Sequence, residues 1–192
     1  MLMNHENGKR MLLELNELLQ RLKIPFFLVQ GTALGAYRDN GFTPTEEDID
    51  IGILHENLKE ELLTELVHNG FDTETFSHPF RKLRMIVGFK YGVKVDIAGF
   101  CLWKDKRFAA SPVRPWITEK YAIVHDREII ETQEEITLFG TTFLVPSPIT
   151  TYLEREYGAD WRTPKKDHIS RTRIYDYLEK EGIGCGFLDS KH

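Results

Sequence analysis

The sequence predicts an α+β fold in which helices flank a central β-sheet. Apolar residues recur at helical spacing over residues 6–22. Polar and apolar residues alternate along 48–53 and 93–100, as in half-buried strands, and two strand-like runs within 135–145 indicate a hairpin. With 192 residues, of which 41% are hydrophobic, the chain is long enough for one domain with a sizeable core.

The N-terminal part is predicted to open with the helix over 6–22, whose leucine stripe packs on the sheet. A short apolar strand follows, and Gly31 then lets the backbone turn into a short helix over 33–38, with Thr32 as the predicted N-cap. The remaining predicted elements are a strand at 48–53, a helix at 58–67 closed by Asn69-Gly70, and strands at 71–76, 83–90 and 93–100.

The C-terminal part is predicted to contain a loop, a hairpin and two helices. Residues 103–126 are interpreted as a long loop that could hold a short helix or strand, and Trp116 and Tyr121 in it could stack on a base or a sugar, or close the core edge. After the hairpin, Ser147 is the predicted N-cap of a helix over 149–157, and a last helix is predicted at 169–181. We therefore expect a single domain over 1–192, with an acidic core at 10–102 and a C-terminal hairpin and helical part at 103–181.

Asp48 and Asp50 lie on one face of the predicted strand at 48–53. Side chains at i and i+2 of a strand point the same way and lie about 6–7 Å apart. Two ionised carboxylates at this distance repel each other, so such a pair normally holds a cation, and oxygen ligands favour Mg²⁺ or Mn²⁺. Asp96 projects away from Val95 and Ile97, which face the core, and is the predicted third carboxylate. An isolated Asp-x-Asp is more often a solvated strand or turn, so the prediction depends on the glycine turn that precedes it.

Backbone and basic groups are predicted to bind phosphate beside these carboxylates. Free N–H groups at the Gly31-Thr32 turn form a candidate phosphate cradle, and Arg38 adds a positive charge. A further basic cluster consists of Arg81, Lys82 and Arg84. This cluster is interpreted either as a clamp for an anionic substrate or as an ordinary solvated loop.

The composition argues against several other functions. The formal net charge of −5 argues against tight, sequence-independent binding to nucleic acid. Cys101 and Cys185 alone cannot build a disulfide framework, and no Cys/His spacing resembles a zinc site, which predicts a reducing, cytoplasmic setting. Residues 1–6 do not have the basic flank and apolar core typical of a signal peptide, and no apolar run approaches membrane-spanning length, so we expect peripheral contact if the substrate is membrane-linked.

The segment 31–38 (Gly-Thr-Ala-Leu-Gly-Ala-Tyr-Arg), followed by Gly-Phe-Thr-Pro at 41–44 and Glu-Asp-Ile-Asp-Ile-Gly at 47–52, resembles the LicD family. That family includes bacterial phosphocholine transferases and fukutin-type alditol-phosphate transferases, and it belongs to the nucleotidyltransferase fold superfamily. Residues 152–154 and 157–164 resemble the family's closing motif, so the resemblance spans roughly 10–170.

The resemblance implies a nucleotidyltransferase-like fold with a mixed central sheet. It also implies that Gly31 and Thr32 form the superfamily's glycine-plus-hydroxyl turn. Asp48 and Asp50 would be the metal-binding pair and Asp96 the third carboxylate. The chain departs from the family in one respect, because Glu46 and Glu47 precede Asp48 where many members have further aspartates.

Three functions are consistent with these residues. The leading hypothesis is Mg²⁺-dependent transfer of phosphocholine or an alditol phosphate from a CDP-linked donor, such as CDP-choline, to a hydroxyl of a cell-surface or lipid-linked glycan. In this hypothesis Asp48 and Asp50 bind two ions, and Asp96 holds the ion nearer the acceptor oxygen and could take up its proton. The candidates that bind the donor diphosphate are Arg38, Arg81, Lys82 and Arg84. The second hypothesis is transfer of a nucleotidyl group from a nucleoside triphosphate to a small molecule or a protein. The third is a binding or regulatory domain that keeps the fold without catalysis, against which the presence of all three carboxylates argues.

Overall fold

A seven-stranded mixed β-sheet forms the centre of the computed structural model, which describes residues 2–77, 83–110 and 122–164. Its strands are β1 (Phe27–Leu28), β2 (Asp48–Leu54), β3 (Asp72–Ser77), β4 (Leu83–Lys90), β5 (Val93–Trp103), β6 (Lys106–Ala110) and β7 (Ala122–Asp126). Five strands lie in the order β1-β2-β5-β4-β3, and β6 and β7 continue the sheet from the end of β5. The β2–β5 pair is parallel and the other pairs are antiparallel, which confirms the mixed sheet.

The helices and a separate hairpin surround this sheet. The helices are α1 (His5–Arg21), α2 (Gln30–Arg38), α3 (Glu61–His68), α4 (Arg127–Glu131) and α5 (Ile149–Tyr157), and the hairpin strands are β8 (Gln133–Leu138) and β9 (Thr141–Pro146). The leucine stripe of α1 is buried as predicted, and Asn4 caps the helix by accepting a hydrogen bond from the Asn7 N–H at 3.0 Å. None of the helices in the described residues has the length and apolar content needed to cross a membrane.

The two faces of β2 differ sharply in chemistry. Its three isoleucines, at alternate positions, are fully buried against the core. The opposite face carries Asp48 and Asp50 and then Gly52, where a Cβ atom would collide with the rings of Phe27 and Phe100. The acidic part of this face is therefore bounded at one end by packed aromatic rings.

Ser147 is not the N-cap of α5, so that prediction was wrong. The helix does span Ile149–Tyr157, but its N-cap residue is Pro148 and no side chain caps it. The Ser147 hydroxyl instead donates to Glu134 Oε2 at 2.7 Å. Ser147 therefore links the start of α5 to the hairpin instead of capping the helix.

The segment predicted as a long loop contains strands β6 and β7 at its two ends, followed directly by α4. The strands were not predicted because the segment is rich in polar residues, which usually indicate a loop. Two of these polar residues are in fact buried and paired with acidic side chains. Arg107, 2% exposed, pairs with Glu56 and Glu131, and His125, 1% exposed, contacts Glu156 at 2.5 Å. Trp116 and Tyr121 lie outside the described residues, as does the helix predicted at 169–181.

Candidate active site

The pairing of β2 with β5 brings three carboxylates to one face of the sheet. Asp50 lies directly opposite Asp96 in the parallel register, and Asp48 lies two residues earlier on the same face. Asp50 and Asp96 are 8% and 7% exposed, whereas the Asp48 side chain is 22% exposed. Two of the three neighbouring carboxylates are thus largely shielded from solvent, and the third is partly shielded.

Lys94 lies among these carboxylates, and the sequence analysis assigned it no role. Its Nζ is 2.5 Å from Asp48 Oδ2 and 3.0 Å from Asp96 Oδ2. Lys94 faces the same side of β5 as Asp96, two residues later, and lies opposite Asp48 in the register. The spacing from Asp96 was visible in the sequence, but the contact with Asp48 depends on how the two strands pair.

Glu46 is a second residue of the site that the sequence analysis did not select. Its carboxylate is buried, accepts a hydrogen bond from the Thr43 hydroxyl at 3.1 Å, and occupies the space that a side chain on Gly31 would need. One oxygen of Glu46, one of Asp48 and one of Asp50 lie within 4.8 Å of one another. Glu46 therefore joins the predicted pair as a candidate metal ligand.

The environment of the site disfavours ionised carboxylates. Burial raises the pKa of Glu46 to about 7. Burial also raises the pKa of Asp50, and the charges of Asp48 and Asp96 add to the effect. Burial raises the pKa of Asp96, although the Lys94 ammonium acts in the opposite direction. These carboxyl groups are expected to take up protons or a cation.

The residues present fit a divalent cation. Asp96 Oδ1 is buried and has no hydrogen-bond partner among the described residues, which is costly for a carboxylate oxygen unless something binds it. The surrounding ligands are carboxylate oxygens, the type that Mg²⁺ and Mn²⁺ prefer.

Gly31 and Thr32, predicted to form a turn before the helix, lie in the first turn of α2, which contacts the acidic strand directly. Thr32 Oγ1 accepts a hydrogen bond from the Asp50 N–H at 2.8 Å, and the Thr32 side chain is fully buried. The predicted N-cap role of Thr32 was wrong, because α2 begins at Gln30, two residues before Thr32, and its N-cap is Val29. Gln30, in the left-handed region with φ +45°, donates its N–H to the Tyr152 hydroxyl at 2.9 Å.

The predicted phosphate-binding cations have different surroundings. Arg38 donates to the Asp39 carboxylate at 2.8 and 2.9 Å and to the Trp161 carbonyl at 3.2 Å, so its guanidinium is already engaged within the protein. Arg81 and Lys82 lie outside the described residues, and Arg84 lies in the part of β4 for which only the backbone is described. Their role in binding a donor stays a prediction.

The sequence model of the protein family LicD/FKTN/FKRP, nucleotidyltransferase domain, matches residues 23–147 of this chain. The match covers more than half of the chain and includes all three predicted aspartates. The chain belongs to this family. The resemblance seen in the sequence motifs is thereby confirmed.

Among curated proteins, members of this family from mammals are similar to most of the chain. Ribitol-5-phosphate transferase FKTN of Mus musculus is 29% identical over 158 residues, which cover 77% of this chain and 32% of that protein. The Homo sapiens FKTN protein is 26% identical over 171 residues, covering 84% and 34%. The chain thus spans about a third of the length of these relatives.

Solved structures share the fold at low sequence identity. The solution structure of the antibiotic-resistance factor ANT(2'')-Ia has a TM-score of 0.54 and 15% identity, covering 97% of this chain and 89% of that one. The crystal structure of ANT(2'')-Ia in complex with adenylyl-2''-tobramycin has a TM-score of 0.51 and 14% identity, covering 93% and 88%. These matches confirm the nucleotidyltransferase-like α+β fold.

Proposed function

We propose that this chain is a divalent-metal-dependent transferase that moves a substituted phosphoryl group from a CDP-linked donor to a hydroxyl of a glycan. The observation that carries the proposal is that the buried Asp50 and Asp96 and the partly exposed Asp48 lie on one face of the sheet, beside the first turn of α2. Membership of the family supports it, and the name of the FKTN relatives, ribitol-5-phosphate transferase, favours an alditol phosphate over phosphocholine as the transferred group.

The reaction would be an in-line displacement at the phosphorus atom of the transferred group. The acceptor hydroxyl oxygen forms a bond to this phosphorus, the bond to the bridging oxygen of the donor breaks, CMP leaves, and the hydroxyl proton passes to a base. A divalent cation would neutralise charge on the phosphoryl oxygens, and Asp48, Asp50 and Glu46 are placed to hold it.

Asp96 is the proposed acceptor of the hydroxyl proton. Its Oδ1 has no hydrogen-bond partner among the described residues, and burial raises its pKa, which makes it a stronger base than an exposed aspartate. The opposite register position holds Asp50, so a phosphoryl group bound near Asp50 would lie close to this base.

A second candidate function is transfer of a nucleotidyl group from a nucleoside triphosphate, which the structural similarity to ANT(2'')-Ia favours. The same carboxylates would serve either reaction. In both cases we propose a cytoplasmic setting, and for the leading function an acceptor glycan or lipid-linked glycan reached by peripheral contact with the membrane.

The Asp50→Asn variant tests the proposed function. We expect it to lose turnover by at least about 100-fold, as removal of a charge-stabilising group typically does. Its thermal midpoint should not fall, since the substitution is isosteric and removes a buried charge.

Purified protein would be assayed with CDP-ribitol, CDP-choline, CTP and ATP in turn, each with Mg²⁺ or Mn²⁺. Asp72→Asn on the exposed face of β3 is the matched control. Full activity of Asp50→Asn would refute the assignment, and turnover of CTP or ATP alone would favour nucleotidyl transfer.

A further inference from the structure

Lys94 supplies a positive charge inside the proposed metal site. Its ammonium group bridges Asp48 Oδ2 at 2.5 Å and Asp96 Oδ2 at 3.0 Å. Its side chain is 32% exposed, so it is in contact with solvent as well as with the carboxylates. The contact joins the two strands that carry the three aspartates, β2 and β5.

A divalent ion held by Glu46, Asp48 and Asp50 would share the Asp48 carboxylate with the ammonium of Lys94. Asp48 is one of the proposed ligands of the ion and Asp96 is the proposed base beside it, and each has its Oδ2 engaged by the ammonium. Asp96 is absent from the set of carboxylates whose oxygens lie within 4.8 Å of one another in the described residues, which is Glu46, Asp48 and Asp50. With Lys94 lying between Asp48 and Asp96, these two side chains are held apart by an ammonium rather than drawn together by a shared ion.

We propose that Lys94 is the resident counter-cation of the acidic site, and that its ammonium leaves Asp48 and Asp96 when a divalent ion binds. This inference rests on the proposed function, because it assumes a metal-binding role for the same carboxylates. Lys94 acts through these carboxylates and is therefore a positioning residue. It keeps the pocket paired in the metal-free protein and lowers the affinity for the ion.

The expected direction of the effect follows from Coulomb's law. The divalent ion repels the ammonium, and the two ion pairs of Lys94 must break for the ammonium to leave Asp48 and Asp96. Removing the ammonium should therefore strengthen metal binding by about tenfold or more. The effect should weaken as ionic strength rises, since the Lys94 side chain is in contact with solvent.

Titration with Mn²⁺, followed by the electron paramagnetic resonance signal of the free ion, tests this inference without any donor or turnover. The variants are Lys94→Met, which keeps the length of the side chain, and Lys94→Gln as a second neutral replacement. Lys94→Arg keeps the charge. Lys106→Met is the matched control, because it removes an ion-paired lysine on β6, which pairs with the opposite end of β5.

We expect Lys94→Met and Lys94→Gln to bind Mn²⁺ about tenfold more tightly than the wild type, with Lys94→Arg and Lys106→Met within about threefold of it. Mn²⁺ should also raise the thermal midpoint of Lys94→Met more than that of the wild type. If the wild type binds Mn²⁺ and the neutral variants bind it equally or more weakly, the role of Lys94 is refuted while the proposed function stands. If neither the wild type nor the neutral variants bind Mn²⁺, the metal site itself is refuted, and the proposed function fails with it.

Discussion

Glu46 shows how a single buried residue couples the site to pH. Its carboxylate lies beside Gly31 at 8% exposure, and burial raises its pKa from 4.5 to about 7. The folded protein therefore binds this proton more tightly than the unfolded chain does. The resulting stabilisation is complete below about pH 4.5 and is lost as the pH rises to 7, where the folded state must also ionise the group.

We expect the Glu46→Gln variant to remove this pH dependence in buffer that contains a chelator. Glutamine resembles the protonated acid, so the wild type should lose up to about 3 kcal/mol of unfolding free energy relative to the variant between pH 4.5 and 7.5. Urea denaturation at a series of pH values measures the difference. The matched control, Glu47→Gln, alters an exposed side chain next in the chain and should follow the wild type. Parallel curves for wild type and Glu46→Gln would contradict the prediction.

The α2–β2 connection illustrates how two elements position the carboxylates. Val29, just after β1, donates its N–H to the Asp50 carbonyl at 3.2 Å, but its own carbonyl accepts from the Ala33 N–H at 3.0 Å. The Asp50 N–H donates instead to the Thr32 hydroxyl. Helix α2 also packs closely on the loop that follows it, because a Cβ on Gly35 would collide with the backbone at Gly41 and Thr43. The backbone around Asp50 is thereby fixed by the helix that forms the glycine turn.

Replacing Thr32 by valine should loosen this connection. The isosteric side chain leaves the buried Asp50 N–H without an acceptor, which should lower the unfolding free energy by about 1–3 kcal/mol. We also expect weaker Mn²⁺ binding, because Asp50 loses its backbone support. Thr32→Ser keeps the hydroxyl and should retain most of the wild-type metal affinity. A loss of metal affinity in Thr32→Ser but not in Thr32→Val would show that the methyl group, rather than the hydrogen bond, is what matters.

Elements with a clear period could be predicted from the sequence, and those that depend on tertiary pairing could not. Strand β4 and helix α5 have the predicted bounds, and β2 extends one residue further than predicted, because alternation and helical spacing directly reflect which face is buried. Strands β6 and β7 were not predicted, because their polar residues Arg107 and His125 are buried. Their burial depends on contacts with Glu131 and Glu156, which lie far along the chain.

The same distinction applies to the residues of the site. Alternation predicted that Asp48 and Asp50 share one face of β2, because strand geometry determines the side on which each residue projects. Glu46 lies before the strand begins, where no period constrains the path of the backbone. The contact of Lys94 with Asp48 depends on the β2–β5 register, which pairs residues more than forty positions apart in the chain. Local patterns carry no information about that pairing.

At the scale of the whole molecule, the hairpin β8–β9 and helix α5 contact the elements that carry the site. The Phe143 ring on β9 packs edge-on against Phe26, with ring centres 6.2 Å apart. The buried Tyr152 hydroxyl on α5 accepts the Gln30 N–H at the start of α2. Within the described residues, the hairpin and α5 therefore share one hydrophobic core with the acidic part, and we expect them to unfold together.

A core substitution in the hairpin tests whether the described parts form one cooperative unit. Phe143 is 2% exposed, so Phe143→Ala should create a cavity and lower the unfolding free energy by about 3–5 kcal/mol. Because the hairpin and the acidic strand share a core, hydrogen exchange should accelerate by a similar factor for the slowest amides of β9 and of β2. Phe89→Ala is the control, since the Phe89 side chain on β4 is 39% exposed and its loss should cost less than about 1 kcal/mol. Faster exchange confined to β8 and β9 would instead mean that the hairpin opens independently, and that the carboxylates keep their arrangement without it.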